Sequence, residues 1–191
     1  KSARTVVRSV PPLSQERSSM DGAFCFREET RMSDESSREK ASIIVFSGDM
    51  DKVMGAFIIA NGAAAFDMDV TMFFSFWGLK AVQKGELTGK GLMGRMLGLM
   101  NRGGLHRIGP SRLNFGGIGR WMFKKMMRKH NVIPLEELVE QAKQQGVHLI
   151  ACEMSMSVME IGEENLIDGV ELAGVGSYIA EASESKFSLF I

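Results

Sequence analysis

Ser42-Ile-Ile-Val-Phe-Ser47 is a short apolar, β-rich run stopped by Gly48-Asp49, the pattern of a strand buried on both faces. Asp49 or Asp51 is placed to cap a following helix. Val53 to Phe66 then mixes apolar residues with Gly55, Ala56, Ala60, Gly62 and Ala63, small enough to let that helix lie close on a sheet. Val70-Thr-Met-Phe-Phe-Ser-Phe76 reads as the second strand, closed by Trp77-Gly78. A strand, a helix and a second strand in this order predict parallel pairing through a crossover helix. The alternative of one apolar span from Val53 to Leu79 fails on Asp67 and Asp69, each costing about 3 kcal/mol at a bilayer centre. The sequence therefore argues against a membrane span.

Outward from this unit the alternation continues. Pro134 opens a helix over Leu135 to Gln145, with Glu136 and Glu137 in its first turn, Lys143 near its end and Gly146 just beyond, as the helix dipole and a terminal glycine favour. Val147-His-Leu-Ile-Ala-Cys152 is a third strand. Glu153-Met-Ser-Met-Ser157 leads from it into a short helical stretch, Val158 to Ile161, which Ser155 or Ser157 is placed to cap. Asp168 to Leu172 reads as a small strand, Val175 to Ala182 as a helix and Phe187 to Ile191 as the last strand. The whole predicts an α/β protein with a mostly parallel sheet flanked by helices.

Residues 80–118 form a glycine-rich excursion with Leu92, Met93, Met96, Leu97, Leu99 and Met100 at near-helical spacing. Gly119 to His130 reads as a basic amphipathic helix with Trp121, Met122 and Met126 on one side. Most of the 15 methionines fall in apolar stretches, where this residue usually fills gaps in a core.

The 191 residues, 45% hydrophobic and 24% charged, suit one soluble domain and a tail. Lys1 to Lys40 is rich in Ser, Arg and Glu and shows no sustained apolar period, so it is read as a disordered or non-native leader before a domain at 41–191. Met32 reads as a natural start, which would place Cys25 in that leader. The leader lacks the apolar stretch of a secretory signal, and its acids do not suit a mitochondrial transit peptide. Lys and Arg (23) balance Asp and Glu (23), so net charge gives no sign of a nucleic-acid partner. The distribution is uneven: Lys80 to Lys129 holds 12 basic residues and one acid, whereas His130 to Ile191 holds two basic and 11 acidic. Such polarity suits an acidic partner, an anionic lipid surface or a second copy of the chain, and equally an internal neutralisation within one fold.

Two cysteines make neither a disulfide framework nor a zinc site, which fits a reducing, cytoplasmic compartment and calls for no metal or cofactor. Cys152 ends a predicted buried strand just before a helix. Ligands bind at the carboxyl edge of open α/β sheets, and a helix N-terminus favours thiolate over thiol. The residue reads either as a reactive thiol or as a buried core thiol. His148 stands about 13 Å away along the strand, too far to act as its base or to chelate with it.

Gly85-Glu-Leu-Thr-Gly-Lys-Gly91 is one residue short of a phosphate-binding loop and has Gly91 where magnesium requires Ser or Thr. Gly116-Gly-Ile-Gly119 lacks the rest of a dinucleotide fingerprint. The turn Ser47-Gly48-Asp49-Met-Asp51-Lys52 follows the first strand, where its amides and Lys52 are positioned to hold an anion, or simply to turn the chain into a capped helix.

Taken together, Ser47-Gly-Asp-Met-Asp-Lys52, Leu113-Asn-Phe-Gly-Gly117, Ala151-Cys-Glu-Met-Ser-Met-Ser157, Leu166-Ile-Asp-Gly-Val170 and Ser188-Leu-Phe-Ile191 resemble the DsrE/DsrF/DsrH-like family, in its DsrE2 branch, over Ala41 to Ile191. Some members of that branch carry a peroxiredoxin-like label. The resemblance implies a three-layer α/β/α fold around a mainly parallel sheet, in a flavodoxin-like arrangement. It also implies intracellular sulfur trafficking, with Cys152 matching the family cysteine that carries sulfane sulfur as a persulfide. Relatives form oligomers and exchange sulfur with TusA-like carriers and rhodanese-like donors. The surroundings of Cys152 lack a peroxidatic motif, which argues against a peroxidase. On this reading Met154, Met156 and Trp77 shelter the persulfide. Two other classes stay open: a scaffold docking acidic partners through residues 80–129, and a small-molecule or nucleotide-binding module at the Ser47–Lys52 turn.

Overall fold

The computed structural model describes residues 38–89, 91–100, 102–112 and 117–191. The expectations for the leader, Met32 and Cys25 included, and for Leu113-Asn-Phe-Gly116 lie outside the described residues. Strands β1 (Lys40–Val45), β2 (Asp69–Phe74), β3 (His148–Cys152), β4 (Val170–Ala173) and β5 (Ser185–Phe190) form one parallel sheet in the order β4-β3-β2-β1-β5. Helix α1 (Met50–Ala65) joins β1 to β2. Helices α2 (Leu92–Met100), α3 (Ile118–Lys129) and α4 (Leu135–Gln144) lie between β2 and β3, while α5 (Glu153–Val158) and α6 (Val175–Glu184) follow β3 and β4.

Strand alternation sorts the side chains onto two faces. Ile43, Val45, Val70, Met72, Phe74, Leu149 and Ala151 meet Val53, Phe57 and Ala60 of α1 and Leu138, Val139 and Ala142 of α4 in the main core. Phe73, Ile150 and Cys152 point the other way and cluster with Tyr178 of α6. The result is a three-layer α/β/α fold with a parallel sheet at its centre. Residues Ser37–Ile191 form a compact unit of their own, and no helix among the described residues is long and apolar enough to cross a membrane.

Several elements differ from expectation. β2 ends at Phe74, because Phe76 adopts φ 46° and opens a 3₁₀ turn over Phe76–Val82, so Trp77-Gly78 lies within that turn. α5 begins directly after Cys152, with Cys152 itself in the N-cap position and Ser155 and Ser157 inside the helix, where neither caps it. Asp49 is the N-cap of α1 by position, but its side chain makes no capping hydrogen bond. Asp51 lies in the first turn and accepts hydrogen bonds from the Ser111 amide and hydroxyl. The core reading of the methionines holds for Met50, Met54, Met72, Met156 and Met159 and fails for Met93, Met96, Met122, Met126 and Met154, which are exposed.

Candidate functional site

The connections after the strands leave the sheet in two directions. α5 follows β3 and sends Met156 into the main core, whereas α6 follows β4 and covers the opposite face with Tyr178. The connections after the adjacent strands β3 and β4 therefore part to opposite faces of the sheet. Cys152 pairs with Ala173 at this place, the last residues of the two strands.

Cys152 is 3% exposed and packs with Phe73, Ile150 and Tyr178, with Ile44, Ala173 and Ala182 around them. Tyr178 is as deeply buried, with its ring centroid 5.0 Å from that of Phe73. Its hydroxyl donates to Ser42 Oγ at 3.4 Å, and Ser42 Oγ lies 2.6 Å from Ser188 Oγ. A chain of hydroxyls from α6 through β1 to β5 thus fixes the aromatic cover over the thiol. Tyr178, the sole tyrosine of the chain, carries no local signal of this role, because its contacts come from strands far away in sequence.

The other predicted residues separate into groups. Ser155 is fully buried, and its Oγ lies 2.9 Å from Ser75 Oγ, tying α5 to the end of β2. Met156 belongs to the main core, on the far side of the sheet from the Cys152 cluster. Met154 is 61% exposed and turned outward, so it does not enclose the thiol. Trp77 is 44% exposed and carries Lys80 Nζ over its ring at 5.6 Å, an arrangement of the β1 and β2 edge that leaves the cover of Cys152 to Phe73 and Tyr178. Lys80, absent from the residues singled out in the sequence, is partly buried; burial lowers its pKa against the opposing pull of Asp49.

Several polar groups of the Ser47–Lys52 turn have partners in the fold. The amides of Phe46 and Ser47 both donate to the Ile191 carbonyl, and the Met50 amide donates to the Gly109 carbonyl. The Asp49 amide donates to Ser47 Oγ, the Ser47 hydroxyl donates to Asp49 Oδ2 at 3.0 Å, and Lys52 Nζ reaches the same carboxylate oxygen at 3.1 Å. Lys52 is thus paired with Asp49. Gly48 serves a different purpose: a β-carbon there would collide with the Trp77 carbonyl, and one at Gly78 with the Val45 carbonyl. These two glycines let the connections after β1 and β2 interlock at the sheet edge.

His148 is exposed at the start of β3, and His106 Nδ1 lies 2.8 Å from Glu136 on α4, across the sheet from Cys152. Neither histidine is brought to Cys152. Lys84 reaches Asp168 at 3.7 Å and Lys124 reaches Glu136 at 3.4 Å, so the basic and acidic segments partly neutralise each other within the fold.

A family model described as the DsrE/DsrF/DrsH-like family matches residues 37–190. The chain belongs to this family. Within reach of this DsrE/DsrF/DrsH-like chain stands the Bacillus subtilis protein YrkE, 46% identical over 155 residues that cover 80% of this chain and 97% of YrkE. The sulfur carrier protein DsrE2 of Allochromatium vinosum is 31% identical over 157 residues, 81% of this chain and 99% of its own. Among solved structures, MTH1491 of Methanobacterium thermoautotrophicum aligns with a TM-score of 0.49 and 11% identity, over 80% of this chain and 99% of its own.

Proposed function

We propose that this protein is a sulfur carrier that holds sulfane sulfur as a persulfide on Cys152. The observation that carries the reading is the placement of a lone described thiol at the carboxyl end of β3, beside β4, under an apolar and aromatic cover. The 31% identity with a protein named for sulfur carriage supports it. The chemistry is balanced without an oxidant: the Cys152 thiolate attacks the outer sulfur of a donor persulfide, an S–S bond forms to Cys152 Sγ, the donor S–S bond breaks and the donor leaves as a thiolate. The proton of the outer sulfur stays with it or passes to solvent. An acceptor thiolate then repeats the exchange and frees Cys152. Because the cluster is closed at rest, exchange requires Tyr178 and α6 to yield, and the same closure protects the loaded sulfur from oxidants between transfers.

TusA-like or rhodanese-like proteins serve as donor and acceptor on this reading, in the cytoplasm. Docking surface is available on α2 and α3: Leu92, Met93, Met96 and Leu99 on the first, and Trp121, Met122 and Met126 amid basic residues on the second, are exposed. Self-assembly into oligomers would use the same apolar faces. The test is single-turnover transfer: protein loaded from polysulfide and freed of excess donor is expected to pass sulfur to a thiol acceptor. Cys152→Ser, with unchanged circular dichroism, is expected to pass none. Equal transfer by Cys152→Ser defeats the proposal, and equal transfer rates at low and high salt defeat docking through the basic face.

A further inference from the structure

A cavity of about 300 Å³ opens on the other side of the sheet from Cys152, between α3 and the first turns of α1 and α4. Its floor is apolar: Met50 and Leu135 face it from the starts of α1 and α4, Met127 from α3, and Val132 from the connection between α3 and α4. The polar groups stand on the α3 and α4 walls, as Lys124, Arg128 and Glu136. Their charges do not cancel. Glu136 is held by His106 Nδ1 at 2.8 Å and Lys124 Nζ at 3.4 Å. Arg128 has no ion-pair partner among the described residues, so a guanidinium remains beside an apolar recess.

The volume is at the lower end for small-molecule sites, and an apolar lining with a few placed polar groups is their usual composition. A guanidinium presents a planar fork that matches a carboxylate or sulfonate, and the apolar floor rewards a hydrocarbon body. Glu136 repels a second negative charge. We infer that this cavity binds an amphiphilic monoanion, with its head on Arg128 and its apolar body against Met50, Met127, Val132 and Leu135. The cavity is separate from the thiol, since none of its residues belongs to the Cys152 cluster.

The test uses octanoate as probe and methyl-labelled methionine in the whole chain, read by NMR. Saturable shifts of the Met50 and Met127 methyl signals are expected, with octanol binding about tenfold more weakly for want of the charge-assisted contact. Arg128→Ala is expected to weaken octanoate by about tenfold and to leave octanol unchanged. Cys152→Ser is expected to bind as the parent does, which separates this site from the carrier reading. Met127→Trp fills the recess and is expected to abolish the Met50 shift; Val132→Phe is the second filling variant should Met127→Trp fail to fold. Absence of saturable shifts at Met50 and Met127, equal binding of octanol and octanoate, or indifference to Arg128→Ala would each overturn the inference.

Discussion

On one side of the sheet, alternate residues of every strand meet α1 and α4 in a continuous core that includes Phe57, Phe74, Ile43, Met72 and Leu149, all sealed from solvent. On the other side the intervening residues of the same strands are mixed. Ser42 and Thr71 are buried beside Phe73, Ile150 and Cys152, while His148, Glu171, Lys186 and Phe190 are exposed. Helix cover of the Cys152 cluster comes from α6, through Tyr178 and Ala182. A parallel sheet with two buried faces normally reads as unbroken apolar strands. Here one face does most of the stabilising, and the other has room for hydroxyls and a thiol under a cover that contributes less to the fold. Chemistry that needs a group to be uncovered and closed again belongs on the less committed face.

This contrast can be broken or sharpened by substitution. Phe57→Ala, on the α1 side, is expected to lower stability by about 3–5 kcal/mol in urea unfolding, as for large aromatic truncations in a core. A loss under about 1 kcal/mol would show that the two faces do not differ as described. Tyr178→Ala removes the cover, and its expected mark is chemical: alkylation of Cys152 by iodoacetamide at least tenfold faster than in the parent, with the fold retained by circular dichroism. An unchanged rate would mean that Tyr178 does not gate the thiol. Tyr178→Phe deletes one hydrogen bond and is expected to cost about 0.5–1.5 kcal/mol, with a smaller gain in alkylation rate than the alanine variant.

The smallest effect concerns pH. Burial pushes the Glu136 carboxyl up, but its own backbone amide, Lys124 and His106 outweigh that, and the net direction is below the ordinary 4.5. A carboxyl depressed in the folded state adds stability that is fully present above its unfolded value and is lost as pH falls through the folded value. The stability gap between the parent and Glu136→Gln is therefore expected to narrow on going from pH 7 to below pH 4.5 in urea titrations. A gap independent of pH would remove this ion cluster from the account.

Much of the fold was legible because it rests on local patterns. Ser42 to Ser47 and Val147 to Cys152 are apolar runs too short for helices, and Pro134, the paired glutamates and Gly146 mark α4 at both ends. The position of Cys152 at the sheet edge followed from the same patterns. The start of α5 did not, because apolar Met154, Met156 and Val158 alternate with polar residues and imitate a strand or loop. Helical period decides their fate: Met154 and Val158, four apart, share the solvent side, while Ser155, Met156 and Met159 turn inward. The partners of the Ser47–Lys52 turn were equally hidden, since the Ser47 amide donates to the carbonyl of Ile191, delivered by β5 from the other end of the domain. The role of Tyr178 is hidden for the same reason: its partners Ser42 and Phe73 lie more than a hundred residues earlier.

Whether Cys152 Sγ carries the sulfur is read by intact-mass spectrometry of reduced protein exposed to polysulfide, followed by peptide mapping. A gain of about 32 Da for one sulfur atom is expected, located on Cys152, reversed by reductant, and acquired faster by Tyr178→Ala. Cys152 left unmodified by polysulfide in both the parent and Tyr178→Ala would contradict that role and leave the residue as a packed thiol of the core.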